Sequence, residues 1–144
     1  MAVRGWVAQR HLVQQLDHLP GVVDCEEIAG EGTPDIAVRL AGGKSILIEC
    51  KNVLRTSDRF GHPRLDFMRT RASPTDPCSR YYKPNEFQVV AACLHAQSQD
   101  WQFKYRLTAE MDQHPGCQGK LAHRVVINEA WTDDALAVLE KAAA

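Results

Sequence analysis

The chain has 144 residues, 44% of them hydrophobic, and a formal net charge of −1. This is enough for one compact domain, residues 1–144, with a core of its own. Near-neutral charge excludes a protein that holds nucleic acid through bulk electrostatics, and no window approaches the roughly 18 consecutive apolar residues of a membrane span. The N-terminus also lacks the long apolar stretch of a secretion signal, so a soluble, unprocessed protein is expected.

Residues 3–19 carry Trp6, Val7, Leu12, Val13, Leu16 and Leu19 at helical spacing, ended by Pro20-Gly21. Residues 22–29 read as a strand, Gly30-Glu31-Gly32 as a link, residues 35–40 as a second strand, Gly42-Gly43 as a turn, and residues 45–51 as a third strand. A helix followed by a three-stranded meander is therefore expected. Residues 52–84 are long and mixed, punctuated by Gly61, Pro63, Pro74, Pro77 and Pro84, with one predicted strand over 64–71. A segment of this length reads as a substrate-facing excursion. Asn85 is placed to cap a helix over 86–97, with Phe87, Val90, Ala91 and Leu94 on its apolar face. Residues 101–107 alternate as a half-buried strand, 124–127 form another, and Thr132-Asp133-Asp134 precede a last helix running to about residue 141.

The five cysteines, Cys25, Cys50, Cys78, Cys93 and Cys117, stand singly and are odd in number. They read as free thiols in a reducing cytoplasm rather than as a disulfide framework. His114, Cys117 and His123 offer three zinc-type ligands, but at no common spacing and without an evident fourth. Charge is unevenly spread. Asp24 to Asp35 holds five acids and no base, whereas Arg55 to Lys83 holds seven bases against three acids. An acidic metal site beside a basic flank is what a phosphodiester substrate requires, although an arginine-rich solvated loop would show the same composition.

The chemistry concentrates in two neighbouring segments, Thr33-Pro34-Asp35-Ile36-Ala37-Val38 and Ser45-Ile46-Leu47-Ile48-Glu49-Cys50-Lys51-Asn52. Side chains alternate along a strand, so Glu49 and Lys51 share a face while Ile46, Ile48 and Cys50 point into a core. With a three-residue loop, Ala41-Gly42-Gly43, counting back from Leu40 opposite Lys44 sets Asp35 opposite Glu49, about 5 Å apart. A two-residue Gly42-Gly43 turn would instead set Asp35 opposite Cys50. Two carboxylates this close repel unless a cation lies between them. Hard oxygen ligands with open positions suit Mg²⁺ or Mn²⁺, and Lys51 is placed to position water or to stabilise developing charge. The plain alternative is a surface Glu49–Lys51 ion pair beside a turn-adjacent Asp35.

Pro34-Asp35 followed by Glu49-Cys50-Lys51, after an N-terminal helix and inside a meander, resembles the PD-(D/E)XK nuclease superfamily over residues 3–52. The resemblance implies an α/β fold, the restriction-endonuclease-like core with a central mixed β-sheet flanked by helices. It also implies Mg²⁺-dependent DNA cleavage with Asp35 and Glu49 as metal ligands, Lys51 as the catalytic lysine and the Cys50 carbonyl as a further ligand. Many relatives, Holliday-junction resolvases and Mrr-type enzymes among them, add a glutamate from the first helix. Here that helix offers Gln9, Gln14 and Gln15, with Asp17 its first acid, and Glu26 or Glu27 is the nearest substitute. The second half is similar to predicted bacterial restriction-like nucleases. Arg55, Arg71, Arg80, Tyr82, Lys83 and Gln88 are the candidates for nucleic-acid contact, with Tyr81 and Tyr82 equally able to pack the loop. The expected function is a metal-dependent DNA endonuclease of restriction or repair, as a homodimer or within a larger nuclease complex. A non-catalytic nucleic-acid-binding module of the same fold, or an RNA-directed nuclease, are the alternatives.

Overall fold

The computed structural model describes residues 3–144, with side chains from Trp6 onward. Helix α1 (Val3–Asp17) forms where Ala8, Leu12 and Leu16 recur at four-residue spacing, and all three are buried. Trp6, counted in the apolar set from its spacing, is instead 48% exposed, with the Arg10 guanidinium 4.1 Å from its ring. Past α1, the Leu19 N–H donates back to the Leu16 carbonyl, and Gly21, at φ +83°, turns the chain into the sheet.

The meander follows as expected: β1 (Val22–Glu27), β2 (Ile36–Leu40) and β3 (Ser45–Asn52), each antiparallel to the next. In the β2–β3 register Ile36 faces Ile48 and Val38 faces Ile46. The turn is the odd loop. The Leu40 N–H donates to Lys44 O, and the Gly43 N–H donates to Leu40 O, with Gly43 at φ +90°. An odd loop keeps parity, so the buried sides of β2 and β3 coincide.

The remaining elements are β4 (Arg64–Asp66), a 3₁₀ turn (Pro77–Arg80), β5 (Val89–Cys93), α2 (His95–Ser98), β6 (Phe103–Leu107), a second 3₁₀ turn (Thr108–Glu110), β7 (Arg124–Val126) and α3 (Ala135–Ala143). The sheet order is β1-β2-β3-β5-β6, with β5 parallel to β3 and the other pairs antiparallel; β4 and β7 form a separate two-stranded sheet. This is the expected mixed central sheet flanked by helices. Asp134 caps α3 by accepting from the Ala137 N–H at 3.1 Å.

The expected helix over 86–97 is a correction. Asn85 lies in a turn closed by the Glu86 N–H donating to Lys83 O, residues 89–93 are strand β5, and only the four residues of α2 are helical. All five residues of β5 are buried. A central strand covered on both faces loses the alternation that marks a strand, and its apolar run then matches helical spacing by coincidence. The predicted strand over 64–71 likewise shrinks to the three residues of β4.

Two cores explain that burial. On one face of the sheet, Ile36, Val38, Ile46, Ile48, Cys50, Val89 and Ala91 pack with α1 and with Val138 and Leu139 of α3. On the other, Val90 and Ala92 pack with Leu65, Phe67, Tyr82 and Val125 of the excursion and the β4–β7 ribbon, and with Phe87 and Trp131. Cys78 and Cys117 form a disulfide, contrary to the reading of all five cysteines as free thiols; Cys25, Cys50 and Cys93 are free and buried. The two partners are 39 residues apart on irregular segments, where spacing carries no information about proximity. Of the three zinc-type candidates, Cys117 is taken by the disulfide and the His114 Nδ1 accepts from the Gly116 and Cys117 N–H groups, and among the described residues no such group is arranged to hold a metal ion. Among the described residues no helix is long and apolar enough to cross a membrane.

Nothing lies within 4 Å of a Cβ built on Gly43, so substitution there meets only the backbone penalty of its positive φ. Gly43→Ala is expected to destabilise the protein by about 1–2 kcal/mol, read as a lower urea midpoint at unchanged slope.

Candidate active site

The site forms where β2 begins and β3 ends. Extending the β2–β3 register by one residue from the Ile36–Ile48 pair sets Asp35 against Glu49. One residue further sets Pro34 against Cys50, and proline has no N–H with which to continue the ladder. The Asp35 side chain takes over: its Oδ2 accepts from the Cys50 N–H at 2.9 Å. In an extended strand the N–H and C=O of one residue point to the same edge, so the Cys50 carbonyl faces the same gap, opposite a residue that cannot donate to it. The Asp35 carbonyl stays in the sheet by accepting from the Ile28 N–H.

Glu49 is 7% exposed, and its Oε2 accepts from the Tyr82 hydroxyl at 2.8 Å. Burial, followed by the neighbouring Asp35 charge, raises the Glu49 carboxyl to about 8, against the opposing pull of Tyr82 and Lys51. Burial also raises Asp35, while the Cys50 N–H, Glu49, Lys51 and Gln9 each pull it down. Burial thus pushes both members of the pair toward the protonated form, and the charge of Asp35 adds to that push on Glu49. Two buried carboxyls held in this way are a site that a divalent cation would relieve of its proton.

Lys51 lies one strand repeat beyond Glu49 on the same face. Its Nζ donates to Met68 O at 3.0 Å and sits 5.3 Å from the centre of the Tyr82 ring. Sequence reasoning thus brought together Asp35, Glu49, Lys51 and the Cys50 backbone, and the fold assembles all four.

The nucleic-acid candidates divide. Arg55, Arg71 and Lys83 are exposed, and Arg80 is half-buried with its guanidinium directed to the Arg69 and Thr70 carbonyls. Tyr82, expected as a phosphate contact, is instead 5% exposed and spends its hydroxyl on Glu49, so it positions a carboxylate. Gln88 is half-buried and also engaged within the fold. Its Oε1 accepts from the Leu47 N–H at 2.8 Å and its own N–H donates to Leu47 O, filling the ladder just before β5 begins.

Three participants were missed. Gln9 of α1 is 6% exposed and hydrogen-bonds Asp35, so the helix reaches the site with a carboxamide. Its burial was legible in principle, since it adjoins Ala8 on the packed side of α1. Glu26 and Glu27 are exposed on β1. Among the described residues no group of three or more His, Cys, Asp or Glu side chains is arranged to hold a metal ion; the oxygens that converge here are those of the two carboxyls and the Cys50 carbonyl. Arg69 and Glu86 are the other two. They pair with each other and line a cavity of about 160 Å³ together with Pro34, Glu49 and Tyr82. No local motif marks either one.

No protein-family profile matches the chain, and no curated protein matches it. Among solved structures, the chain is similar to a bacterial homing endonuclease, I-Ssp6803I, with a TM-score of 0.65 over 98% of this chain and 95% of that one. Sequence identity is 16%. The likeness extends over nearly the full length of both chains and establishes a shared α/β fold.

Proposed function

We propose that this protein is a metal-dependent DNA endonuclease of the PD-(D/E)XK type. The observation that carries the reading is the Asp35–Glu49 pair, set across β2 and β3 with Lys51 on the same face. The homing-endonuclease fold supports DNA as the substrate. Asp35, Glu49 and the Cys50 carbonyl would hold Mg²⁺ or Mn²⁺, both of which favour hard oxygen donors. When bound, such an ion supplies a more acidic water and neutralises charge developing at phosphorus.

The chain's own groups do the rest. Tyr82 fixes one oxygen of Glu49, and the Cys50 N–H fixes one oxygen of Asp35, so both carboxylates are oriented before substrate arrives. Lys51, held by Met68 O, aims its amino group across the same face to stabilise the phosphorane and the leaving oxygen. The exposed Arg55, Arg71 and Lys83 supply contacts to the DNA backbone outside the site. Cleavage of both strands of a duplex would need two such sites, hence a homodimer or a larger complex.

One observation favours a second reading. Gln9 stands at Asp35 where the resemblance calls for a glutamate, and a weaker metal site would leave a non-catalytic DNA-binding module.

The two readings separate in a plasmid assay. Supercoiled DNA is expected to be nicked with Mg²⁺ or Mn²⁺ and not with EDTA, and Asp35→Asn, Glu49→Gln and Lys51→Ala should each lower the rate by about 10²-fold or more. Full cleavage by Lys51→Ala would remove the catalytic assignment, and DNA binding without cleavage under any metal would favour the module. A pH dependence follows from Glu49. Its carboxyl is raised from 4.5 to about 8, so the metal-free fold is most stable at acid pH and loses stability as pH rises between those values. Mg²⁺ affinity should rise over the same interval, with proton release on binding visible by calorimetry in buffers of different ionisation enthalpy, and Glu49→Gln should abolish both trends. Gln9→Glu should tighten Mg²⁺ binding while lowering the melting temperature in EDTA, because a third carboxyl joins an already crowded pair.

A further inference from the structure

The cavity beside Glu49 mixes polar and apolar lining, and among the described residues Arg69 is the basic side chain on its wall. Pro34, Glu49, Arg69, Tyr82 and Glu86 all line it. The Arg69 guanidinium lies 4.6 Å from the Tyr82 ring centre, donates through Nη1 to Tyr81 O at 3.3 Å, and meets the Glu86 carboxylate through Nη2. The second oxygen of Glu86 accepts from the Lys83 N–H at 2.7 Å. Arg80 braces this segment from behind, its Nε donating to the Arg69 carbonyl at 3.3 Å. A guanidinium fork is thus mounted rigidly next to the carboxylate pair, on the same tyrosine that orients Glu49.

This arrangement has a chemical preference. A guanidinium matches two phosphate oxygens as it matches a carboxylate, and phosphate carries the charge that the acidic neighbours would otherwise repel. The Arg69 and Glu86 side chains remain 31% and 23% exposed, so the ion pair is open to competition from solvent and from an arriving anion. Glu86 keeps its hold on the Lys83 N–H if Arg69 departs, so exchange of partner leaves the 83–86 turn intact. Arg71 and Lys83, by contrast, are exposed and do not line the cavity.

We infer that Arg69 receives the phosphodiester group beside the Asp35–Glu49 pair, and that Glu86 occupies its guanidinium when DNA is absent. The inference rests on the nuclease reading above and adds to it the residue that binds the substrate phosphate and the carboxylate that competes with it.

The test is the salt dependence of kcat/KM on a duplex oligonucleotide with Mg²⁺, for the wild type, Arg69→Gln, Arg69→Lys and Glu86→Gln. Loss of one phosphate contact should raise KM about tenfold in Arg69→Gln and reduce the slope of log(kcat/KM) against log[salt] by about 0.9. Arg69→Lys keeps the charge and should keep the slope at an intermediate KM. Glu86→Gln retains an acceptor for the Lys83 N–H, releases Arg69 and should lower KM at wild-type slope. An Arg69→Gln enzyme with the wild-type slope, or a Glu86→Gln enzyme with raised KM, would overturn the inference while leaving a cleaving wild type as a nuclease. If Arg69→Gln fails to fold, the Lys and Glu86→Gln variants decide it by the same signs. Absence of wild-type cleavage with any metal would instead remove the nuclease reading on which the inference stands.

Discussion

A single hydrogen bond organises the site: the Asp35 carboxylate accepting from the Cys50 N–H at the point where β2 stops pairing with β3. A strand that ends in the middle of a sheet leaves its neighbour with unmet backbone groups, which are costly when buried. Pro34 makes the ending compulsory, since it has no N–H to offer, and Asp35 satisfies the donor it leaves behind. The same substitution of side chain for backbone sets a carboxylate at the strand edge, next to Glu49 and to a carbonyl with no strand partner on that side. Strand termination and placement of the carboxylate are one event.

The neighbouring carboxyl is held from the opposite side. Tyr82 reaches Glu49 from the core beneath the β4–β7 ribbon, and the same ring faces both Lys51 and Arg69. Burial of two carboxyls carries an electrostatic cost, visible in the pKa of each being raised. A structure built only for stability would place apolar side chains there. The pair is kept at that cost while the two cores supply stability, as at positions where chemistry rather than packing sets the residue.

The 33-residue stretch between Asn52 and Pro84 acts as the crossover between the parallel strands β3 and β5, a role that usually falls to a helix. Here it covers the second face of the sheet and carries Met68, Arg69, Tyr82 and the Cys78 half of the disulfide. The excursion is thus both lid of a core and wall of a cavity, so basic residues of one composition-rich run acquire different duties. Arg69 enters the cavity, Arg80 braces it, and Arg55 and Arg71 remain at the surface.

What the sequence by itself determined is local. The alternation in residues 35–40 and 45–51, together with the parity of the Ala41-Gly42-Gly43 loop, set Asp35 opposite Glu49 and Lys51 beside it, because strand geometry repeats every two residues whatever surrounds it. The order helix, meander and closing helix was legible for the same reason, from periodicity and from proline, glycine and capping residues. Only the tertiary structure decided that residues 89–93 are a central strand, since burial on both faces erases the alternation that would reveal it. It alone brought Gln9 to Asp35, Tyr82 to Glu49, Glu86 to Arg69 and Cys78 to Cys117. Each of those contacts joins segments far apart in the chain. Their side chains carry no local signature, and the packing of α1 and the excursion on the two faces of the sheet sets their distances.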